Sequence, residues 1–557
     1  MNVFVPGGEH KPGLVLGPLL RYVGETEATV WVETDAPCEV EILGRREPTF
    51  TVEEHHYALV RIEGLRAGSF NEYEVRLDGE LRWPLPDADL PPSAIRTLGR
   101  DAPFDACFGS CRTALPHEEP YTLSKDQHPD GREYDALYVL ALEMTRTERD
   151  KWPELLILLG DQVYVDEGSP RTREKIHRRR GTSTPPYEEV TDYEEYSWLY
   201  EESWSDPLIR WLFSTVSVSM QWDDHDMSDD WNISASWVEE MRSQSWWHCR
   251  AVAGVMSYWV YQHLGNLSPR ALDRDDLYPR VRGNVHATSV LREFAARVDS
   301  TGDGSRWSFC RDVGNSRVLF IDSRAGRVLD PGNRSMVDEE EWEWIREHAD
   351  GDFDHLVIST TVPYLLSPGF HHLEAWNERV CDGAWGRLAA KLGEKARRAA
   401  DFDHWACFDR SFQQLRELIE EVGSGEGGKP PASIVVLSGD VHHAYLAEIG
   451  FRPEVGMRSA AYQAVCSPYR NPLELKERRA IRAGFSRPFT AAMRALAGSA
   501  GAADPCIRWR LAEGPYFDNQ VGTLRIDGRG AVIQLDKTVP GDNEERRLEC
   551  VFERRIA

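Results

Sequence analysis

The chain is short of positive charge. It carries 65 Lys and Arg against 92 Asp and Glu, a net charge of −27. Non-specific nucleic-acid binding needs a positive field, so no nucleic-acid partner is expected. No stretch approaches the ~18 uninterrupted apolar residues of a membrane span, so none is expected. The opening residues MNVFVPGGEHKPG lack a basic start followed by an apolar core, and they lack a twin-arginine pair. The ten cysteines are scattered, with no C-x-x-C pair. Without an export signal they read as reduced, mostly buried thiols, and a cytoplasmic location is expected. No internal repeat and no long low-complexity segment is present.

What remains suits a globular enzyme. Apolar residues make up 41% and charged residues 28% of 557 positions. That length exceeds one ordinary domain. Residues 14 to 99 read as all-β, with short alternating runs at Ala28–Glu33, Glu39–Leu43, Ala58–Ile62 and Glu72–Leu77. Gly64, Gly68 and Asp78-Gly79 punctuate them. The segment GLRAGSFNEYEVRLDG has the look of a corner in a fibronectin-type sandwich, which sets an N-terminal β-sandwich domain at 1–100 with a scaffolding role.

Beyond Asp101-Ala102-Pro103 the pattern changes to strands alternating with helices, an α/β domain at 101–557. One grammar repeats: an apolar strand, then a polar cluster at its carboxyl end. It occurs at Ala106–Cys111, Leu155–Tyr164, Val216–Asp226, Val318–Arg324, Leu356–Thr361 and Ile434–His443. An amphipathic helix is predicted over Phe412–Val422, with Ser411 and Gln414 in capping-box spacing and Gly423 at its end. Residues 168 to about 310 read as a mostly helical insertion, rich in Trp and carrying the basic run Arg171–Arg180. Such a run is most often a solvated helix face; attraction of phosphate is the sharper alternative. Gly522–Asp527 and Ala531–Lys537 read as a hairpin, and Leu548–Glu553 as a final strand.

Open α/β sheets place their chemistry at the carboxyl ends of strands. Four clusters stand there: Phe108–Arg112 (FGSCR), Gly160–Tyr164 (GDQVY), Trp222–Asp226 (WDDHD) and Ser438–His443 (SGDVHH). Each residue has a bland reading. Cys111 could be a core thiol, Asp161 a turn cap, Tyr164 a core phenol, the Asp-Asp-His-Asp run a solvated charge run, and His442 a core histidine. Packing rarely needs acids and histidines at several strand ends of one domain, and that recurrence favours a site. Hard oxygen donors with imidazole and one thiol suit more than one metal ion. Paired metals clamp a phosphoryl group, and a histidine can protonate the leaving oxygen.

The ordered set F-G-S-C, G-D-x-x-Y, W-D-D-H-[DE] and S-G-D-V-H, with Ile321–Arg324 (IDSR) before the last, resembles the PhoD-like alkaline phosphatases of the calcineurin-like metallophosphatase superfamily. The resemblance spans roughly residues 14 to 540. It implies a four-layer α/β/β/α core and hydrolysis of phosphomonoesters or phosphodiesters at an iron and calcium centre, with zinc, manganese or magnesium as other occupants. It implies Cys111, Asp161, Tyr164, Asp224, Asp440 and His442 as metal ligands and His225 as the catalytic histidine. Arg112 and Arg324 become candidates for holding phosphate oxygens, since guanidinium forks match them. The sequence departs from the family at Asp226, where Glu is frequent, at Asp229-Asp230, where Asn is frequent, and at Arg112, where Gln is frequent in the phosphodiesterase relatives. The expected partner is a small phosphate ester. Two other readings stand beside this one. One is a phospholipase-like diesterase meeting lipid headgroups through exposed aromatics of the insertion. The other is a catalytically weak, metal-stabilised binding protein.

Overall fold

The computed structural model of the protein describes residues 11–86, 89–302, 305–540 and 546–557. The first ten residues, read above for a leader, lie outside the described residues. Two antiparallel sheets form the N-terminal part. One runs in the order Leu14–Val23, Glu27–Thr34, His55–Glu63, Phe50–Val52; the other runs Arg45–Pro48, Glu39–Ile42, Val75–Leu77, Glu80–Trp83. Alternate residues Val30, Val32, Val40, Val60, Val75 and Leu77 fill the space between them. The opposite face of the first sheet is also covered: Trp31, Tyr57 and Leu59 belong to the large core shared with the helical insertion. One predicted strand is split. Phe70–Glu72 pairs with Ala94–Arg96, whereas Val75–Leu77 joins Glu39–Ile42. Tyr73 sits between them, and its hydroxyl donates to the Ser214 carbonyl at 2.7 Å.

The α/β part holds two sheets. The first has the order Ser217–Gln221, Leu155–Leu159, Phe104–Gly109, Gln520–Asp527, Gly530–Val539, Arg547–Arg555. Its first three strands run parallel, and the last three form an antiparallel edge. The second sheet has the order Phe309–Val313, Ser316–Phe320, His355–Ser359, Ser433–Ser438, Ala460–Val465, Ala444–Gly450, Arg508–Tyr516. The two sheets share one core, in which Phe108, Ile157 and Val218 join Val318, Phe320, Val357, Val435 and Leu437. The alternate residues Leu319, Leu356, Ile358, Ile434 and Val436 point outward, into a core with helices Glu339–Ala349 and Asp409–Ser424. Helix Ala136–Met144 packs on the first sheet. The layers are therefore α/β/β/α, as expected.

The structure corrects three local readings. The helix predicted from Phe412 starts at Asp409, so Ser411 lies inside it and caps nothing. Its hydroxyl instead accepts from the Met336 amide at 2.8 Å, joining the helix to a neighbouring loop. Gly423 is still helical, with Met457 over it, and the left-handed cap is Gly425 (φ 77°). Most aromatics of the insertion are not offered to solvent: Trp204, Trp211, Trp237, Trp247, Trp259 and Tyr261 are buried, whereas Tyr187 is exposed. Their helices close over the first sheet and the N-terminal strands. The basic run, in helix Pro170–Arg180, is paired: Lys175 with Glu201, Arg178 with Glu174, Arg179 with Asp192, and Arg180 with Glu195.

Candidate metal centre

Strands Phe104–Gly109 and Leu155–Leu159 of one sheet and Ser433–Ser438 of the other end at the same place. Tight backbone makes this fit. A side chain at Gly160 would put its Cβ 2.5 Å from Cβ of Asp223, and one at Gly439 would put it 2.1 Å from Ser110 Oγ. Ser110 Oγ accepts from the Asp440 amide at 2.9 Å, stitching the two sheets together. Directly beyond these strands the chain turns left-handed at Cys111 (φ 57°), Asp161 (φ 52°), Asp440 (φ 66°) and His442 (φ 51°). Non-glycine residues pay for such backbone, and strain of this kind concentrates at functional sites.

Asp226 organises the carboxylates. Its two oxygens accept from the amides of Asp161 (3.1 Å), Val163 (3.3 Å) and Asp223 (2.9 Å), and from Gln262 Nε2 (3.2 Å). Burial raises it to about 7, against the opposing pull of those donors. Asp161, Asp223 and Asp224 are thereby gathered so that one oxygen of each lies within 4.8 Å of the others. Asp161 Oδ1 and Asp223 Oδ2 are buried with no hydrogen-bond partner. Asp224 Oδ1 lies 3.1 Å from Arg324 Nη2. Burial, and then the crowding of Asp223, Asp224 and Asp226, pushes the Asp161 carboxyl far above its usual range despite the nearby His225.

Cys111 Sγ lies 3.5 Å from the Asp440 carbonyl oxygen and accepts from Ser467 Oγ at 3.1 Å. Burial, followed by Asp161 and Asp440, holds this thiol well above its ordinary pKa. The Tyr164 hydroxyl donates to Asp161 Oδ2 at 3.4 Å, and its ring lies 4.5 Å from that of His225. His225 Nδ1 is 2.9 Å from Asp166 Oδ1. Burial alone would lower His225, but Asp166 and Asp224 outweigh it and raise it strongly. His442 is half-buried; its ring makes no hydrogen bond or ion pair among the described residues, and burial lowers it to about 3.

The two arginines are placed differently from the expectation. Arg112 is buried, with Nε 2.8 Å from Asp135 Oδ2 and Nη1 2.7 Å from the Ser203 carbonyl. Arg324, also buried, lies among Asp223, Asp224, Asp403 and Asp440. In this structure Arg112 Nε and Nη1 and the Arg324 fork are engaged by the protein itself, as internal countercharges. Four other participants were missed. Asp166 stands two residues beyond the Gly160–Tyr164 cluster. Asp403, His404 and Glu374 lie on a helix and on a loop after one, away from the strand-end grammar. His404 Nδ1 is 2.8 Å from Glu374 Oε1, and its Nε2 is 3.3 Å from Asp440 Oδ2. Burial opposes the charge on His404, yet Glu374 and Asp440 raise it well above its usual value. The run Asp401-Phe402-Asp403-His404 was the available signal.

Residues 131–291 match the family described as PhoD-like phosphatase. That segment of the chain is similar to the PhoD-like phosphatases. The matched PhoD-like segment contains Asp161, Tyr164, Asp224 and His225, whereas Cys111, Asp440 and His442 lie outside it. Residues 11–95 match a family described only as a domain of unknown function. A solved structure titled "Structure of PhoD" superposes with a TM-score of 0.58 over 99% of this chain and 94% of its own, at 12% identity. That likeness concerns the fold. No curated protein matches. The PhoD-like match supports a metal-dependent phosphoesterase, and no helix among the described residues is long and apolar enough to cross a membrane.

Proposed function

We propose that the chain hydrolyses phosphomonoesters or phosphodiesters at the centre where the two sheets meet. The observation that carries this reading is the set of buried, convergent carboxylate oxygens on Asp161 and Asp223 that no group among the described residues satisfies. Leaving such oxygens unmade is costly unless something outside the chain completes them. Hard cations fit such oxygens, with Asp161, Asp223, Asp224, Asp440 and Tyr164 as oxygen ligands, Cys111 as a sulfur ligand and His442 as a nitrogen ligand. When bound, such cations supply Lewis-acid polarisation of the phosphoryl group and offset the acidity around it. Iron with calcium is the pair the resemblance implies.

The residues of the chain do the rest. Asp166 fixes the His225 ring through Nδ1 and favours its protonated form, so Nε2–H points away from Asp166 and lies 3.8 Å from Asp229 Oδ1. This is the arrangement of a general acid for a leaving alkoxide. Arg324 balances the carboxylates from behind and keeps them assembled. Elemental analysis of the purified protein, with turnover of a panel of mono- and diesters, tests the proposal. Bound metal together with phosphate release is the expected result. Metal-dependent folding without release from any ester would instead favour the binding-protein reading. Ferric iron on Tyr164 and Cys111 predicts visible absorption; a colourless, metal-loaded, active protein removes iron.

A further inference from the structure

Helix Arg387–Ala399 differs from the basic helix Pro170–Arg180. In Pro170–Arg180 most cations are matched by acidic neighbours, as described above. Here Arg387, Lys391 and Lys395 are exposed and make no ion pair among the described residues. Arg397 and Gly393, on the opposite side, hold the helix to its neighbour. Arg397 pairs with Glu378, and the Gly393 carbonyl accepts from Asn377 Nδ2 at 2.9 Å. At 100° per residue, Arg387, Lys391, Lys395, Leu388 and Leu392 fall in one arc of roughly 140° facing away from that contact, and of the cations in it only Arg398 is paired among the described residues, with Glu240.

The leucines are the unusual part. Leu388 is 76% exposed and Leu392 61%, and Trp385 just before the helix is 46% exposed. No other short segment among the described residues gathers three large exposed apolar side chains. Trp385 is held in place by its Nε1, which donates to the Ser499 carbonyl at 3.3 Å. Leucines that protrude so far form a convex ridge, not a groove, so a peptide would find no cleft to lie in. A row of unpaired cations beside a row of leucines is the pattern of a helix lying in a lipid interface. On a chain of net charge −27, a locally unneutralised basic face selects an anionic surface against general repulsion.

We infer that helix Arg387–Ala399 docks the protein reversibly on anionic lipid surfaces, with Leu388 and Leu392 entering the headgroup boundary and Arg387, Lys391 and Lys395 meeting lipid phosphates. The inference does not rest on the proposed hydrolysis. The test is co-sedimentation of the full chain with vesicles of phosphatidylcholine alone and of phosphatidylcholine with phosphatidylserine. The bound fraction is expected to be at least ~10-fold higher on the anionic vesicles and to fall as salt is added. Leu388→Asp with Leu392→Asp, and separately Lys391→Glu with Lys395→Glu, should each abolish the difference while circular dichroism stays unchanged. Absence of sedimentation, equal binding to both vesicles, or binding that survives both pairs of substitutions overturns the inference. So does a concentration-dependent dimer that Leu388→Asp converts to monomer, because a second copy would then own this face.

Discussion

Two buried polar regions of the molecule look alike in composition and differ in completeness. Where the N-terminal strands meet the insertion, Glu33 accepts from Tyr261 (3.2 Å) and faces His55 (2.9 Å). Tyr57 is bonded to both Tyr193 (3.0 Å) and Tyr261 (2.9 Å), and His55 reaches Glu194 at 3.0 Å. Each of these carboxylates and hydroxyls has its partner inside the protein. At the strand ends, by contrast, carboxylates crowd together and some oxygens are left over. A buried network closed on itself holds two parts of a fold in register. One left open is shaped around something the chain does not supply.

Closing the open network should cost function and help the fold. Asp161→Asn is expected to reduce p-nitrophenyl phosphate turnover to background. The metal-free variant should also unfold at higher denaturant, by about 1 kcal/mol, because one crowded buried charge is gone. Equal loss of stability and activity would place Asp161 with the closed kind. His225→Ala should lower turnover by ~10²–10⁴ with metal content unchanged. Asp226→Asn, which removes acceptor capacity under the Asp161 and Asp223 amides, should cost about 10–100-fold in activity or metal affinity. An unaltered steady state would mean that those loops hold their shape without it.

Opening the closed network should do the reverse. His55→Gln is expected to destabilise the protein by about 2 kcal/mol at neutral pH and to leave turnover unchanged. Burial opposes the charge on His55, but hydrogen bonds to Glu194 and Glu33 outweigh it and lift it to about 9. A raised folded-state pKa contributes stability that is complete below the unfolded value of 6.5 and fades as pH climbs through about 9. Urea midpoints of wild type and His55→Gln should therefore converge between those limits. A gap that persists above pH 9 would show that packing, not charge, explains the loss.

The strand-end grammar made much of this legible in advance. Leu155–Leu159 is a strand buried throughout, residue for residue, because an apolar run closed by glycine has few other uses in an α/β chain. Cys111 and Asp440, 329 positions apart, meet at 3.5 Å for the same reason. The failures share another cause. Asp403, His404 and Glu374 lie outside the strand ends, and their convergence is set by how helices dock on the sheet, which periodicity does not encode. Arg112 and Arg324 were read by what a guanidinium can grip, and the sequence gives no hint of the interior acids that claimed them first. Ser411 had the spacing of a cap but was needed by a neighbouring loop.

Arg324 has a consequence for how the molecule lives between synthesis and loading. Its permanent positive charge, held against Asp223, Asp224, Asp403 and Asp440, is an internal placeholder that no pH change removes. On the proposed reading the chain is expected to reach its native shape before its ions arrive, whereas small zinc modules stay unfolded until theirs does.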